Sequence, residues 1–431
     1  MSNKPIKILS VCTSDTSGGA ARAAKRIHDG INSLNAGVTS EMFVKFKHSS
    51  DVSVHSLDEF VPNNLAFKVS DYIASKVKNK VQHYRWNKYP NRERIFMSDM
   101  RGTSLHGALQ KLDFDVLHLH WLNQRFIKLS DLKKINKPIV WTLHDSWPFC
   151  GVCHYFFDCD GYKNQCGNCP FLHSNDLNDL SHIVWKNKSD IYKHLNLHIV
   201  TPSKWLGECA KNSSLFSHFP LTVIPNCLDT DVFRPIIKEK FSPVWRKFLE
   251  KRCEKHFLLY GAMNAATDKI KGFSNLLSAL RILEGQKKTD FELIVFGAEK
   301  TELKIDLQMP VHFVGTITDT NQLVELYNLA DVMVVPSLTE NLSCTIMESL
   351  SCETPVCCFN IGGNSDMVVH KKNGFLANKM DDSDLAKGID WCLNNNNDNA
   401  LGEQGRKDVI EKFSINVIAE QYANLYKQLC K

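Results

Sequence analysis

Short apolar runs, each followed by a longer amphipathic segment, recur in two series along this chain. In the first series residues 6–12 form a continuous apolar run, and residues 116–119, 139–143 and 199–201 repeat the pattern. Strands that are apolar on both faces are typical of a parallel sheet covered by helices. The first half therefore predicts an α/β fold in which strands and helices alternate.

A second series follows a stretch rich in turn formers at residues 221–236. Its predicted strands are residues 257–260, 291–296, 311–314, 332–335 and 356–359. Because 431 residues exceed what one core usually serves, we expect two doubly wound domains. The predicted boundaries are residues 1–220, a linker at 221–236, a second domain at 237–405 and a terminal helix at 406–431 that packs back across a cleft between the domains.

Charge and hydropathy exclude several classes of protein. The chain has 52 basic and 47 acidic residues, and no arginine-rich run accompanies the net charge of +5, so we expect no nucleic-acid partner. No apolar run reaches the roughly 18 residues that a membrane-spanning helix needs. The N-terminal residues lack the apolar core and cleavage site of a signal peptide, which predicts a cytoplasmic protein.

The predicted strand 332–335 leads into a segment suited to an anion. Glu340 follows the strand, and a helix is predicted to start near Leu342 and Ser343. The N-terminus of a helix offers unpaired N–H groups and a positive dipole end, which favour a phosphate. Glu348 lies two turns further along this helix, where a carboxylate can accept hydrogen bonds from ribose hydroxyls.

A diphosphate also needs positive charge, and two lysines follow the first strand of the second series. Lys269 and Lys271 precede Gly272, which opens the next predicted helix. A lysine at this place can act as a point charge on a diphosphate leaving group. The alternative interpretation of each lysine and glutamate, taken singly, is a solvated surface charge.

These residues resemble the retaining glycosyltransferases of family 4, which have the two-domain GT-B fold. The resemblance rests on Glu340 and Glu348 in an E-x7-E pattern within PSLTENLSCTIMESLSCETPV, and on Lys271-Gly272. It extends to Ile361-Gly362-Gly363, Asn373-Gly374-Phe375 and VIPNCLDTDVFRP, and it covers most of the second half.

Three positions depart from the family pattern. Glu353 stands where the family usually has glycine, Ser365-Asp366 where it has a Pro-Glu pair, and Ile270 where it has a basic residue. Lys269 is therefore an alternative to Lys271 as the phosphate contact.

The resemblance implies a role for each matching residue. Glu348 would bind the ribose, Glu340 the donor sugar and Lys271 the diphosphate. The backbone of Asn341, Leu342 and Ser343 would bind the distal phosphate. It also implies that the anomeric configuration is retained and that transfer needs no metal, because lysine and the helix end stabilise the departing diphosphate.

The first half offers a glycine turn and two histidines. Ser17-Gly18-Gly19 and Arg22 follow the first strand, and Gly18 and Gly19 are expected to bring the backbone close to an anionic group of the donor. The alternative is an ordinary tight turn. The G-x-G-x-x-G spacing is absent, which counts against an oxidoreductase.

His120 and His144-Asp145 end two predicted strands, where an imidazole can handle a hydroxyl proton. The resemblance favours His144 as a catalytic residue, together with Glu340 and Lys271. We expect His120, Asp145 and Arg22 to contact the acceptor. A structural role is the alternative for any single histidine.

A cysteine-rich insertion at residues 150–170 contains Cys153, Cys159, Cys166 and Cys169. Four thiolates can close a structural zinc site, and zinc is favoured over disulfides in a reducing compartment. Cys150 is a fifth candidate, and buried free thiols are the alternative. HLHW and TLHDSWPFCGVCHY, together with this insertion, resemble the colanic-acid and O-antigen type of family 4 enzyme.

Residues 65–94 combine apolar positions at four-residue spacing with many lysines and arginines. Such a segment can bind an anionic membrane surface, or pack as a helix with a solvated basic face. With the resemblance, the sequence predicts a hexosyltransferase that is cytoplasmic, either free or docked at the cytoplasmic face of the inner membrane. Its expected partners are a nucleotide-diphosphate sugar and a saccharide acceptor, either free or carried on a lipid, and the resemblance implies a role in bacterial surface polysaccharide assembly. A sugar-nucleotide epimerase and a non-catalytic nucleotide-sugar-binding protein are the alternatives.

Overall fold

The computed structural model describes residues 4–60, 86–93, 102, 106–252, 255–262, 267–288, 290–299 and 305–431. The chain divides into two compact units. Unit 1 contains residues 1–224 and 419–431, and unit 2 contains residues 225–418. Most of the basic segment at residues 65–94 lies outside the described residues, so its predicted helix is not described.

Unit 1 contains a parallel sheet of seven strands in the order β3-β2-β1-β4-β5-β6-β7. The strands are β1 Ile6–Ser14, β2 Val38–Phe46, β3 Val54–Ser56, β4 Val116–Leu119, β5 Ile139–Thr142, β6 Leu197–Thr201 and β7 Leu221–Val223. Its helices before residue 224 are α1 Gly19–Leu34, α2 His106–Leu109, α3 Leu180–Tyr192 and α4 Lys204–Lys211.

Unit 2 contains a parallel sheet of six strands in the order β10-β9-β8-β11-β12-β13. The strands are β8 His256–Gly261, β9 Phe291–Phe296, β10 Val311–Phe313, β11 Val332–Val335, β12 Val356–Phe359 and β13 Gly374–Ala377. The helices are α5 Pro243–Lys251, α6 Phe273–Gly285, α7 Thr320–Leu329, α8 Cys344–Ser351, α9 Asn364–Met367, α10 Asp382–Asn395, α11 Ala400–Phe413 and α12 Ile415–Leu429, whose residues from Ala419 onward belong to unit 1.

The apolar pattern of the strands explains both sheets. Strands β4, β5, β11 and β12 are buried along their whole length, which requires cover on both faces. In unit 2 two separate apolar clusters form, one with Ile346 and Tyr327 and the other with Leu276 and Ile389. The predicted α/β class with doubly wound parallel sheets is confirmed.

The strand order reverses once in each sheet, and this point places the candidate sites. The reversal lies between β1 and β4 in unit 1 and between β8 and β11 in unit 2. Ligands of doubly wound sheets bind beyond the carboxyl ends of the strands at this point. In unit 1 the Thr13 N–H donates to the Trp121 carbonyl at 2.8 Å, and in unit 2 the Leu338 N–H donates to the Ile270 carbonyl at 2.8 Å.

Two predicted boundaries need correction. Leu221–Val223, expected in the linker, is a short edge strand that pairs with β6. The expected terminal helix at 406–431 is two helices that meet at Ser414, whose extended backbone (φ −62°, ψ 151°) ends α11. None of the described helices is long and apolar enough to cross a bilayer.

Candidate functional site

A glycine turn brings the lysines of unit 2 against the end of β11. Residues Lys269–Lys271 form one 3-10 turn, and the Asp268 carboxylate caps it by accepting from the Ile270 N–H at 3.0 Å. Gly272 follows with φ 69°, and a Cβ there would lie 1.8 Å from the Pro336 carbonyl oxygen. Only glycine permits this approach.

Lys271 and Glu340 form an ion pair beside this turn. The Lys271 Nζ lies 3.1 Å from a Glu340 carboxylate oxygen, and the two side chains are 23% and 17% exposed. Lys269 is exposed at the surface of the same turn. Of the two lysines that the sequence left as alternatives, the structure therefore joins Lys271 to the predicted sugar-binding glutamate.

A second glycine turn supports Glu340 from another side. Gly362 has φ 51°, and a Cβ there would lie 1.7 Å from the Glu340 carbonyl oxygen. The loop that carries Glu340 is thus packed against Gly272 near Pro336 and against Gly362 at Glu340 itself. Since both contacts involve backbone atoms, the position of Glu340 is set by the fold of unit 2.

The first turn of α8 follows directly. Ser343 is the N-cap, and its side chain makes no capping hydrogen bond but contacts the Thr345 hydroxyl at 2.9 Å. Asn341 is partly exposed, whereas Leu342 and Ser343 are buried. In general, a helix N-terminus without a side-chain cap has N–H groups that can donate hydrogen bonds to an anion.

Glu348 lies on the buried side of α8. It is 2% exposed, and its carboxylate accepts a hydrogen bond of 3.0 Å from the Tyr327 hydroxyl on α7. Burial and the neighbouring Glu348 raise the pKa of Tyr327 well above its usual value, so the tyrosine remains a donor. Sequence reasoning missed Tyr327, which carries no local signal beyond its place on an amphipathic helix.

In unit 1 the two predicted histidines meet. His120 Nδ1 lies 3.1 Å from His144 Nε2, and His120 Nε2 has no hydrogen-bond partner within the described part of the chain. The His118 ring lies beside His120, with centroids 4.0 Å apart. The spacing of His118 and His120 by two residues on a strand is the signal that could have revealed this pair, since such residues share one face.

Burial keeps these imidazoles neutral. It lowers the pKa of His144 to about 4 although Asp145 opposes this, and it lowers the pKa of His118 to about 3. The pKa of His120 lies well below its usual value for the same reason. At neutral pH these side chains are therefore uncharged, and each can still donate or accept a hydrogen bond.

Asp145 holds an aromatic and a third histidine next to this pair. It accepts from Trp121 Nε1 at 2.9 Å and from the Trp147 N–H at 2.9 Å, and it lies 2.5 Å from His154 Nδ1. Burial alone would raise the pKa of Asp145, but these contacts, above all His154, keep it below its usual value. Sequence reasoning missed His154, which belongs to the cysteine-rich insertion.

The predicted glycine turn of unit 1 lies at the start of α1. Gly18, with φ 90°, precedes the helix, and nothing lies within 4 Å of the Cβ positions of Gly18 and Gly19. Arg22 is exposed on the first turn. These residues leave open space at the helix N-terminus, as an approach by an anion requires.

The last helix adds contacts that the sequence did not predict. The Tyr426 hydroxyl lies 2.7 Å from His118 Nδ1, and the Tyr422 hydroxyl lies 2.9 Å from the Thr142 hydroxyl, which itself contacts His118 Nε2 at 2.7 Å. Residues after 419 therefore orient the imidazole next to His120.

The cysteines of the insertion are brought together. Cys150, Cys153, Cys159, Cys166 and Cys169 line one cavity. Within the described ranges, the only set of three potential metal ligands whose ligand atoms lie within 4.8 Å of one another is His28, Asp29 and Asp51. Lys25 already forms ion pairs with both of those carboxylates, at 2.5 Å and 3.0 Å.

Two family models match the chain. The model "Glycosyltransferase Family 4" matches residues 49–232, and the model "Glycosyl transferases group 1" matches residues 244–408. The group 1 match contains β8 and β11, between which the strand order of unit 2 reverses, and the family 4 match contains β4 of unit 1 but begins after β1.

Individual proteins of known sequence or structure agree with this. The chain is 30% identical to the capsular polysaccharide biosynthesis glycosyltransferase CapM of Staphylococcus aureus over 38% of this chain and 44% of that protein, so the match spans less than half of CapM. It is 28% identical to an uncharacterized glycosyltransferase of Methanocaldococcus jannaschii over 77% of this chain and 80% of that protein. The structure of Anabaena HepE in complex with UDP-glucose superposes with a TM-score of 0.62 at 15% identity, over 98% of this chain and 100% of that one.

Proposed function

The chain belongs to the GT-B glycosyltransferases described by the group 1 and family 4 models, and from this premise we propose that it transfers a hexose from a nucleotide-diphosphate sugar to a saccharide hydroxyl. The observation that carries the proposal is the ion pair of Lys271 and Glu340 beside the N-terminus of α8, at the strand-order reversal of unit 2.

Unit 2 would bind the donor. A cation, two carboxylates and a helix N-terminus match the groups of a sugar nucleotide: Lys271 for the diphosphate, the N–H groups of Asn341, Leu342 and Ser343 for the distal phosphate, and Glu340 for sugar hydroxyls. Glu348, held by Tyr327, would accept from the ribose. Because lysine and the helix end stabilise the leaving diphosphate, transfer would proceed without a metal. Retention of the anomeric configuration is proposed from the family resemblance alone.

Unit 1 would supply the acceptor side. A neutral His144 next to His120 can orient a hydroxyl without first losing a proton, and the imidazole pair lies at the carboxyl ends of β4 and β5. Asp145 would contact the acceptor alongside His120, and Arg22 with the Gly18-Gly19 turn would contact an anionic group. We propose His144 as the catalytic residue of this unit.

The pathway follows from the relatives. CapM is named for capsular polysaccharide biosynthesis, which supports a role for this chain in polysaccharide assembly. We extend this to a lipid-linked acceptor at the cytoplasmic face of a membrane, reached by peripheral contact. Binding of vesicles that contain anionic lipid, weakened by salt, would support that extension.

The test is an assay of nucleoside diphosphate release from a panel of UDP- and GDP-sugars, led by UDP-glucose. We expect release that depends on a saccharide acceptor, a product with the donor's anomeric configuration by NMR, and no requirement for added Mg²⁺ or Mn²⁺. Conversion of a donor to its epimer without acceptor would instead identify an epimerase. A thermal shift by a donor, with no turnover on any acceptor tried, would favour a non-catalytic binding protein.

A further inference from the structure

Five thiols surround one small cavity in the cysteine-rich insertion of unit 1. Cys150, Cys153, Cys159, Cys166 and Cys169 line a space of about 20 Å³ together with aromatic and polar neighbours. A space of this size holds about one water molecule or one ion.

The backbone around these thiols is irregular and unfavourable. Phe157, Cys166, Asn168 and His173 have φ values of 46° to 53°, and Gly167 has φ 98°. Each non-glycine residue in this left-handed backbone conformation costs about 1 kcal/mol or more of folding free energy. Regular structure in the segment amounts to the single turns Gly161–Lys163 and Pro170–Leu172. An additional interaction that holds the segment would offset this cost.

Backbone N–H groups point at three of the sulfur atoms. The Gly151 N–H donates to Cys166 Sγ at 3.3 Å. The Gly161 N–H donates to Cys159, and the N–H groups of Phe171 and Leu172 donate to Cys169. Such donors stabilise a thiolate, the form of cysteine that binds a metal.

A buried lysine lies beside the thiols, and burial lowers the pKa of its ammonium to about 7. Lys188 is 1% exposed, and its ammonium donates to the carbonyls of Trp147, Cys150 and Gly151, the latter two at 2.9 and 3.1 Å. In the part of the chain that the structure describes, no carboxylate forms an ion pair with Lys188. A zinc ion with four thiolates has a net charge of −2, which a neighbouring ammonium partly balances.

We propose that Cys153, Cys159, Cys166 and Cys169 bind one structural Zn²⁺. Cys153 and Cys169 contact each other, and the sulfurs of Cys159 and Cys166 lie 3.4 and 3.9 Å from the Cβ position of Gly161. Cys150 is the thiol left over, and its sulfur is hydrogen-bonded to the Ser146 side chain.

Binding requires a local rearrangement of these side chains. No three of the described thiols have sulfur atoms within 4.8 Å of one another, whereas zinc–sulfur bonds of about 2.3 Å place tetrahedral sulfurs about 3.8 Å apart. Under the proposal, rotation of the cysteine side chains around the small cavity would have to close this difference. Thiolates favour zinc over magnesium or calcium, which prefer oxygen ligands.

The metal would support the histidine site of unit 1. His154 directly follows Cys153, and the Ser146 hydroxyl contacts the carbonyls of both, at 3.2 Å for Cys153 and 2.7 Å for His154. His154 in turn contacts Asp145. Zinc thereby positions His154 against Asp145 through one short stretch of backbone.

The test is metal analysis of the full-length protein purified in reducing buffer without added metal. We expect about one zinc per chain, and loss of at least about 80% of it in Cys166→Ser/Cys169→Ser. Cys150→Ser and the buried Cys392→Ser, in unit 2, serve as matched controls and should keep the metal. Reconstitution with Co²⁺ should give the visible absorption of tetrahedral thiolate coordination.

Two results would overturn the proposal. A folded wild-type protein with less than about 0.2 zinc per chain, and without the cobalt spectrum, has no such site. Equal loss of metal in Cys150→Ser and in the double variant would overturn the choice of four ligands.

If the double variant does not fold, chelation of the wild type decides the matter. Removal of the metal should lower Tm by about 5 °C or more, and Zn²⁺ but not Mg²⁺ should restore it. An unchanged Tm would overturn the structural role.

Discussion

The two units place their candidate residues at the same point of the same sheet topology, but in opposite environments. In unit 2 a partly buried ion pair, Lys271 and Glu340, is held between two glycine turns. In unit 1 buried, neutral imidazoles contact one another and Asp145 lies next to them. One sheet topology can therefore place either a charged pair or uncharged hydrogen-bonding groups at the same point.

The largest expected effect is a difference in acid stability. The pKa values of His28, His118 and His144 in unit 1 are lowered to about 4, about 3 and about 4. Below pH 6.5 the unfolded chain takes up protons that the folded unit does not, so stability is lost as pH falls. Each histidine costs at most about 1.4 kcal/mol per pH unit between about pH 6.5 and 4.

In unit 2 the sign is reversed for one histidine. Asp331 raises the pKa of His256, so this group adds stability below pH 6.5 that is lost as pH rises through its folded pKa. Urea unfolding at pH 7.5 and 5.0, with pulse proteolysis to locate the cleaved unit, should show unit 1 weakening first. His144→Gln should flatten the pH slope, whereas His194→Gln, at an exposed histidine of the same unit, should not. Equal unfolding midpoints for unit 1 at both pH values would contradict this expectation.

The next effect concerns the charge in unit 2. Glu340→Gln removes the carboxylate that pairs with Lys271, and we expect transfer to fall about 100-fold because a preorganised charge is lost. Nucleotide affinity, measured by calorimetry with UDP or GDP, should change by less than about threefold, since the diphosphate contacts remain. Asp290→Asn, at an exposed carboxylate of the same unit, is the control. Transfer within twofold of wild type would remove Glu340 from the site.

A smaller effect should come from the turn that holds the ion pair. Gly272→Ala places a Cβ against the Pro336 carbonyl at a positive φ, and we expect a loss of about 2 kcal/mol or more in the unfolding free energy of unit 2. Gly285→Ala at the end of α6, where nothing lies within 4 Å of the Cβ position, should be neutral or slightly stabilising in the same urea titration. Similar midpoints for both variants would show that the close approach is not maintained.

The smallest effect separates the two lysines. Lys271→Met should weaken nucleoside diphosphate binding about 10-fold, because the proposed charge-assisted hydrogen bond between the partly buried ammonium and the diphosphate is lost. Lys269→Met, at the exposed position of the same turn, should weaken it less than about twofold. Calorimetry with UDP and GDP measures both, and the opposite order would transfer the phosphate role to Lys269.

The fold was largely predictable where burial is complete. Strands such as Val116–Leu119 and Val332–Val335 have the predicted bounds because every side chain is apolar or buried. Val38–Phe46 was missed because its polar residues alternate with apolar ones and resemble an exposed segment. Leu221–Val223 and Gly374–Ala377 were missed because short strands next to turn formers carry almost no periodic signal.

The candidate site also has parts that were predictable from the sequence and parts that were not. Asn341, Leu342 and Ser343 are consecutive residues between one strand and the next helix, so their shared position was predictable from local sequence. The contact of Tyr426 with His118 joins residues 308 positions apart, which no local pattern encodes. The low pKa of His144 was also unpredictable, because burial by distant segments causes it.

The return of the chain to unit 1 after residue 418 has a consequence for biosynthesis. A ribosome must complete unit 2 before it delivers Tyr422 and Tyr426, so the nascent first unit waits with Thr142 and His118 uncovered by those hydroxyls. During this interval all seven strands of the unit 1 sheet have been synthesised but the last helix is missing, so the histidine arrangement matures only when translation of that helix is finished.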